Sequence, residues 1–242
     1  MKDEDITSKL LRRYTVTQSS IGRCLLRLHL EQQRLRAQWF AHGTSIMKRS
    51  LDITVSLFFL ILLSPLFAVI ALLVWIEDGG AVFFAQTRVG QFGHEFKMYK
   101  IRSMCLDAEE RLKDLLGKNR HKEGVTFKIK DDPRITRTGK WLRKFSFDEL
   151  PQLYNVLIGD MSLVGPRPPV PREVAKYSLE HRRRLAIKPG ITCFWQISGR
   201  SEIDFSGQVE LDVNYIEKQS FMTDFMILAR TIPAVLSGKG AC

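Results

Sequence analysis

Between Leu51 and Ile76 the chain is almost uninterruptedly apolar, and Asp52 is its one strongly polar side chain. About 20 apolar residues suffice to cross a hydrocarbon core, so this run predicts membrane insertion over burial in a soluble core. A Ser64-Pro65 pair stands near its middle. Proline removes a helix hydrogen bond and clashes with the preceding turn, so the helix is expected to kink or break there, with the Ser64 hydroxyl serving a freed backbone group. Each half, of about 13 residues, would reach roughly 20 Å at 1.5 Å per residue.

Periodicity assigns the other elements. Residues 20–41 place Ile21, Leu25, Leu28, Leu35 and Trp39 among Arg and Gln at helical spacing, the pattern of a basic amphipathic helix that lies on a membrane or packs on a partner or second protomer. "AVFFAQTRVG" and "HEFKMYKIRSM" read as two strands of a hairpin turning at Gly90 to Gly93. "CLDAEERLKDLLGK" has helical spacing through Leu106, Leu112, Leu115 and Leu116 and is stopped by Gly117, and "KWLRKFSFDELPQLYNVLIG" is a second helical region interrupted by Pro151. Residues 118–133 are polar and Lys-rich and are expected to form a mobile loop. The final "FMTDFMILARTIPAVLSGKGAC" fits a last core helix or an interfacial one equally well.

No regular strand-helix alternation is present, so the fold class is α+β, mostly helical with a small β-hairpin. A chain of 242 residues supports one main domain with an appended segment. The expected division is a basic amphipathic segment over 1–47, a membrane helix broken at Ser64-Pro65 over 48–78, and a catalytic domain over 79–242.

Charge changes the picture of the anchor. The 37 Lys and Arg against 26 Asp and Glu give a net charge of +11, which favours an anionic partner. Arg12, Arg13, Arg23, Arg27, Arg34, Arg36, Lys48 and Arg49 lie upstream of the apolar run, and the residues after it are also rich in Lys and Arg. Both flanks therefore prefer the cytoplasmic face, which a single span cannot satisfy; a helix that enters one leaflet, turns and leaves on the same side does. The 15 Phe, concentrated partly in the anchor, argue for lipid over stacked bases, and nucleic acid is not an expected partner. Cys24, Cys105, Cys193 and Cys242 form neither a disulfide framework nor a zinc spacing, in keeping with a reducing compartment. Residues 1–20 lack the apolar core of a cleavable signal peptide.

Chemistry-bearing residues collect after residue 96. Asp107, Glu109 and Glu110 cluster near a helix start, where carboxylates meet the positive end of the macrodipole, bind a divalent cation, or act as nucleophile or base. Lys100 and Arg102 project from one face of an extended strand, and paired cations beside paired carboxylates suit a phosphorylated substrate with a metal. Arg134, Arg137, Lys140 and Arg143 follow, and Arg167 sits in the proline-stiffened "VGPRPPVPRE", preorganised for a phosphate. Asp148, Glu149, Asn155 and Asp160 are expected to pair structurally with the nearby arginines. GxSxG, HExxH, P-loop and GxGxxG motifs are missing.

"KRSLDITVSLFFLILLSP", "QTRVGQFGHEFKMYKIRSM", "DDPRITRTGKWLRKFSFDELPQLYNVLIGDMSLVGPRP" and "KPGITCFWQISGRS" occur in order and in register from about Lys48 onward. Together they resemble the bacterial sugar transferases, the monotopic phosphoglycosyl transferases that act on polyprenyl phosphates. The resemblance implies an enzyme of the bacterial inner membrane, monotopic and facing the cytoplasm, that moves a sugar-1-phosphate from a UDP-sugar to undecaprenyl phosphate with Mg²⁺ and releases UMP. It also implies a re-entrant helix broken at Ser64-Pro65.

In that family an Asp-Glu dyad after the strand supplies the nucleophile. The resemblance puts it at Asp107, also a metal ligand, with Glu109 as partner; the adjacent Glu109-Glu110 is the rival placement. The implied phosphate-binding cations are Arg88, Lys100, Arg102, Arg134, Arg143 and Arg167. Ile101 departs from the family strand, where aromatic residues are common, and no stretch has a hexose-reading pattern.

Overall fold

The computed structural model describes residues 20–115, 132–199 and 203–237. The chain divides into two compact units, 1–48 and 49–242, and the first helix, α1 (Ser20–Leu62), contributes residues to each. Most of the expected loop at 118–133 lies outside the described residues, as do most side chains on which the amphipathic reading of 20–41 rests; Cys24 and Leu28 are exposed.

Within the second unit, α1 ends at the expected place. Pro65 has no N–H for the carbonyl of Ile61, and the Ser64 hydroxyl donates to that carbonyl at 2.8 Å. The next helix, α2 (Ser64–Asp78), starts with proline in its first turn, where the missing donor costs nothing. The pair Ser45–Leu62 and Ser64–Asp78 is bent by 60°. Among the described residues no single helix is long and apolar enough to cross a membrane, while this bent pair is so by length and composition. One stripe of α2, Ile70 and Val74, packs on Ile101 and Leu142. Leu66 and Phe67 are half-buried against the same cluster, whereas Val69, Leu72, Leu73, Trp75 and Ile76 are exposed, as are Phe58, Ile61 and Leu62 of α1.

The bent pair is tied to the rest of the unit by polar groups at both ends. Going in, Arg49 donates to the carbonyls of Val156 and Leu157 at 2.6 and 2.8 Å, filling acceptors that a helix C-terminus leaves open. One turn on, Asp52 accepts from the backbone N–H of Leu163 and the hydroxyl of Ser162. Coming out, Glu77 accepts the N–H groups of Arg137 and Thr138, and Asp78 holds Arg102 through both oxygens.

The hairpin forms as expected: β1 (Phe83–Val89) and β2 (Glu95–Ile101) pair antiparallel from Phe83 opposite Ile101 to Val89 opposite Glu95. Helix α3 (Ala108–Leu115) follows. The second helical region is broken earlier than at Pro151. It comprises α4 (Arg137–Lys144), a one-turn 3-10 helix at Phe147–Glu149 and α5 (Gln152–Ile158). The interruption falls at Ser146, which has a φ of 56°, and Pro151 is the N-cap of α5.

Not expected from the sequence is a parallel pair, β3 (Ser162–Val164) with β4 (Gly190–Thr192). Three residues each are too few for periodicity to register. Short helices α6 (Pro171–Val174) and α7 (Phe194–Ser198) precede the longer α8 (Phe205–Glu217) and α9 (Phe221–Ser237). The main core joins Phe96 and Met98 of β2, Leu153 and Val156 of α5, Leu163 and Val164 of β3, Tyr215 of α8 and Ile227 of α9. The last helix contributes to the core through Asp224 and Ile227, which are buried, while its Phe221, Phe225 and Leu236 are exposed. The architecture of the described residues is α+β, with two small two-stranded sheets among them.

Candidate active site

Asn155 sets the position of β2. Its Oδ1 accepts the N–H of Tyr99 at 3.0 Å and its Nδ2 donates to the carbonyl of Lys97 at 2.7 Å, so a side chain from α5 stands in for a third strand and pairs these two backbone groups of β2. The next residue, Lys100, turns inward to Glu149 with Nζ 2.8 Å from Oε1, the two side chains 15% and 17% exposed. Arg167, carried on the proline-rich turn after β3, reaches the same oxygen at 3.3 Å.

These neighbours set the protonation states. Burial pushes the Glu149 carboxyl up, but Lys100 and Arg167 overcome it and hold the group well below the usual carboxylate range. Burial also lowers Lys100, partly offset by Glu149. The adjoining Asp148 is raised by burial, against the pull of Lys100. Arg88 donates to Pro168 O at 2.9 Å and Gln86 Oε1 at 2.6 Å. Its Nε is buried with no partner among the described residues, and burial plus the nearby Arg167 guanidinium bring it down to about 10.

A second wall comes from the segment after β2. Met104 bridges to Ile135, Cys105 N–H donates to Arg134 O at 2.8 Å, and Thr136 N–H donates to Ser103 O at 3.2 Å. Gly139 permits this approach, because a Cβ there would sit 2.0 Å from the Ser103 carbonyl oxygen. Arg134 is buried against Asp132 at 2.6 Å and reaches the carbonyl of Ala108, bracing the start of α3. The Arg134 guanidinium outweighs burial and holds the Asp132 carboxyl below its ordinary value.

Both walls bound one cavity of about 1440 Å³. All six expected cations, Arg88, Lys100, Arg102, Arg134, Arg143 and Arg167, line it. Two of them already serve carboxylates that hold the fold together, Arg102 with Asp78 and Arg134 with Asp132. Among the acids expected near the start of α3, Glu109 lines the cavity, whereas Asp107 and Glu110 are not among its described lining residues. Asp107 pairs with Arg111 at 2.6 Å on the exposed side of the helix, and hydrogen bonds from Cys105 and Arg111 lower its carboxyl. Its carbonyl accepts the first helical bond, from Arg111 N, which is an N-cap position.

Sequence reasoning missed Asp132, which lines the cavity. The signal was present in "DDPR", an acid two residues before the arginine that clamps it. Also missed was the buried pair of Arg184 with Asp212 at 2.6 Å, whose Arg sits among aromatic rings of Tyr177 and Phe205. Among the described residues no group of three or more His, Cys, Asp or Glu side chains is placed to hold a metal ion. Magnesium bound through one or two carboxylates and substrate phosphates needs no such group, and Glu109 and Asp132 are oxygen donors on the cavity wall.

Comparison with known proteins identifies the family. The chain is 49% identical over 205 residues to the galactosyl transferase CpsE of Streptococcus agalactiae, covering 84% of this chain and 45% of that protein. It is 41% identical over 199 residues to the exopolysaccharide production protein ExoY of Sinorhizobium fredii, covering 81% and 88%. It is also 41% identical over 214 residues to the undecaprenyl-phosphate galactose phosphotransferase of Salmonella typhimurium, covering 86% and 44%. The chain thus spans less than half of the first and third of these relatives and most of the second. The model of the bacterial sugar transferase family matches residues 43–238, and the chain belongs to that family.

Proposed function

We propose that this protein transfers a sugar-1-phosphate from a UDP-sugar to undecaprenyl phosphate and so initiates assembly of a polysaccharide or glycoconjugate. The observation that carries the reading is one cavity lined both by Lys100, Arg88, Arg143 and Arg167 and by the carboxylates of Glu109 and Asp132. A carboxylate attacks a diphosphate only where cations offset the charge of both, and this wall supplies them. The names of the relatives point the same way, being a galactosyl transferase and an undecaprenyl-phosphate galactose phosphotransferase, which makes UDP-galactose the first donor to try.

In the first step a carboxylate oxygen attacks the sugar-bearing phosphorus, the P–O bond to the uridine-bearing phosphate breaks, and UMP leaves. In the second, a phosphate oxygen of the lipid attacks the same phosphorus and releases the carboxylate. Asp107, first choice by resemblance, pairs with Arg111, and Asp132 is clamped by Arg134; we therefore take Glu109, on the cavity wall, as the candidate catalytic carboxylate, with Asp132 lining the same wall. Glu109 and Asp132 would also hold Mg²⁺, which supplies charge neutralisation when bound. The bent pair α1–α2, apolar on its outer face, is read as a re-entrant anchor in the inner leaflet of the cytoplasmic membrane with the catalytic domain on the cytoplasmic side.

The test is UMP release from a panel of UDP-sugars by membranes containing the protein, undecaprenyl phosphate and Mg²⁺. Release that persists in Asp107→Asn and disappears in Glu109→Gln supports both the activity and this placement. Loss in Asp107→Asn alone returns the nucleophile to Asp107, and no release from any donor refutes the activity.

A further inference from the structure

The charged groups are not the whole lining of the cavity. It is also lined by Val55, Phe59 and Leu63, from the last turns of α1 to the break, and by Leu228, Thr231, Ile232, Ala234, Val235 and Leu236 of α9. Among these Leu228, Ile232 and Val235, at spacings of four and three, share one helix face. A UDP-sugar offers such a wall only the face of its uracil ring and the C–H face of its sugar, far less hydrocarbon than a polyprenyl chain. Burial of hydrocarbon surface is the only stabilisation these three side chains offer.

From this juxtaposition we propose that the apolar lining, from the last turns of α1 and from the Leu228, Ile232 and Val235 face of α9, seats the first isoprene units of the lipid acceptor while the cations of the same cavity take its phosphate. The proposal rests on the transferase reading above and assigns to α9 a substrate-binding role as well as its core contact through Ile227. The occupant is an isoprenoid phosphate because the cavity matches both of its parts: cations for an anionic head, and an apolar wall for a chain. Phe59 and Leu63 of that wall come just before Ser64-Pro65 in the chain, and exposed apolar side chains flank the break on both sides, Phe58, Ile61 and Leu62 before it and Val69 and Leu72 after it. A lipid lying along these side chains reaches the cavity without passing through water.

Ile232 is exposed and Val235 half-buried, so charged substitutions there are compatible with folding. Ile232→Glu and Val235→Glu in the full chain, reconstituted in membranes, are expected to raise the KM for undecaprenyl phosphate about tenfold or more and to leave the KM for the UDP-sugar unchanged. Phe225→Glu, on the same helix but outside the cavity lining, is expected to leave both unchanged. A benzophenone-bearing isoprenyl phosphate is expected to label residues 221–237 on illumination. Equal effects of Phe225→Glu and Ile232→Glu on the acceptor KM, an unchanged acceptor KM in Ile232→Glu, or labelling confined to other segments each overturn the proposal. Failure of the wild type to form any lipid-linked product refutes the transferase reading instead, and the labelling then still reports where the isoprenoid sits.

Discussion

Asp52 accepts the backbone N–H of Leu163 at 2.9 Å from within the otherwise apolar run of α1, and it is 4% exposed. A carboxylate at the start of a membrane-inserting helix is costly if it faces lipid. Here it faces the protein and supplies the edge of β3 with an acceptor that no neighbouring strand provides. The charge that looks anomalous in the sequence joins α1 to the strand pair of the same unit.

Asp52→Leu removes that acceptor and leaves the Leu163 N–H and the Ser162 hydroxyl buried without it. The expected loss is about 1–3 kcal/mol of stability, read as a lowered unfolding midpoint in detergent. Asp52→Asn keeps a carbonyl oxygen and is expected to lose much less. Equal midpoints for wild type and Asp52→Leu would show that the bond contributes nothing.

The arginines of the cavity separate into two kinds. Arg102 is held by both oxygens of Asp78, so Arg102→Ala is expected to lower stability by loosening the exit of α2 while the KM for the UDP-sugar stays near its wild-type value. Arg167 has one longer contact, 3.3 Å to Glu149, and a side chain 36% exposed, leaving donors available to a phosphate. Arg167→Ala is expected to lower kcat by about 10²–10³, the cost of removing one donor to a developing anion. Steady-state kinetics beside thermal unfolding distinguishes the two, and identical profiles would refute the division.

What the sequence made legible followed from strong local signals. The Ser64-Pro65 break, the hairpin around Gly90 to Gly93 and the helix from Ala108 each rest on a proline, a glycine turn or a repeated apolar spacing, and each forms. The β3–β4 pair left no such trace, since "SLV" and "GIT" are brought together only by the tertiary fold. The six cations were found because basic residues are conspicuous, but which of them are free for a ligand depends on Asp78 and Asp132, partners at 24 and two residues' distance that spacing does not reveal. Asp107 drew attention by lying in an acidic cluster, and its pairing with Arg111 is itself an ordinary i to i+4 helix contact.

Asp212 predicts a pH dependence. Burial, opposed by Arg184, raises its carboxyl to about 6 from the ordinary 3.8, and its Oδ1 has no partner among the described residues. The folded state therefore binds this proton more tightly than the unfolded chain. The resulting contribution is greatest below the unfolded value and declines as pH rises to about 6, by something on the order of 3 kcal/mol in all. The midpoint of wild type relative to Asp212→Asn should thus fall between pH 4.5 and pH 7. A relative midpoint that rises over that window would show the carboxyl to be stabilised as the anion.

Gly139 gives the last prediction, in which two effects oppose each other. It is the third residue of α4, where alanine would gain up to about 1 kcal/mol of helix propensity. The added Cβ, however, would lie 2.0 Å from the Ser103 oxygen and 2.7 Å from the Ser103 carbonyl carbon. Both are backbone atoms, so no side chain can swing aside, and overpacking of this kind costs about 1–3 kcal/mol. Gly139→Ala should therefore be destabilised despite its better helix former. Because Ser103 to Cys105 carry one wall of the cavity, kcat should fall with it. Thr136→Ala is the comparison: it loses the cap on the Gly139 N–H, 2.9 Å long, for about 1 kcal/mol, but leaves the approach to Ser103 open and should retain kcat at temperatures where it stays folded. If Gly139→Ala proves more stable than wild type, helix propensity outweighs the contact and the close approach does not set the position of the wall.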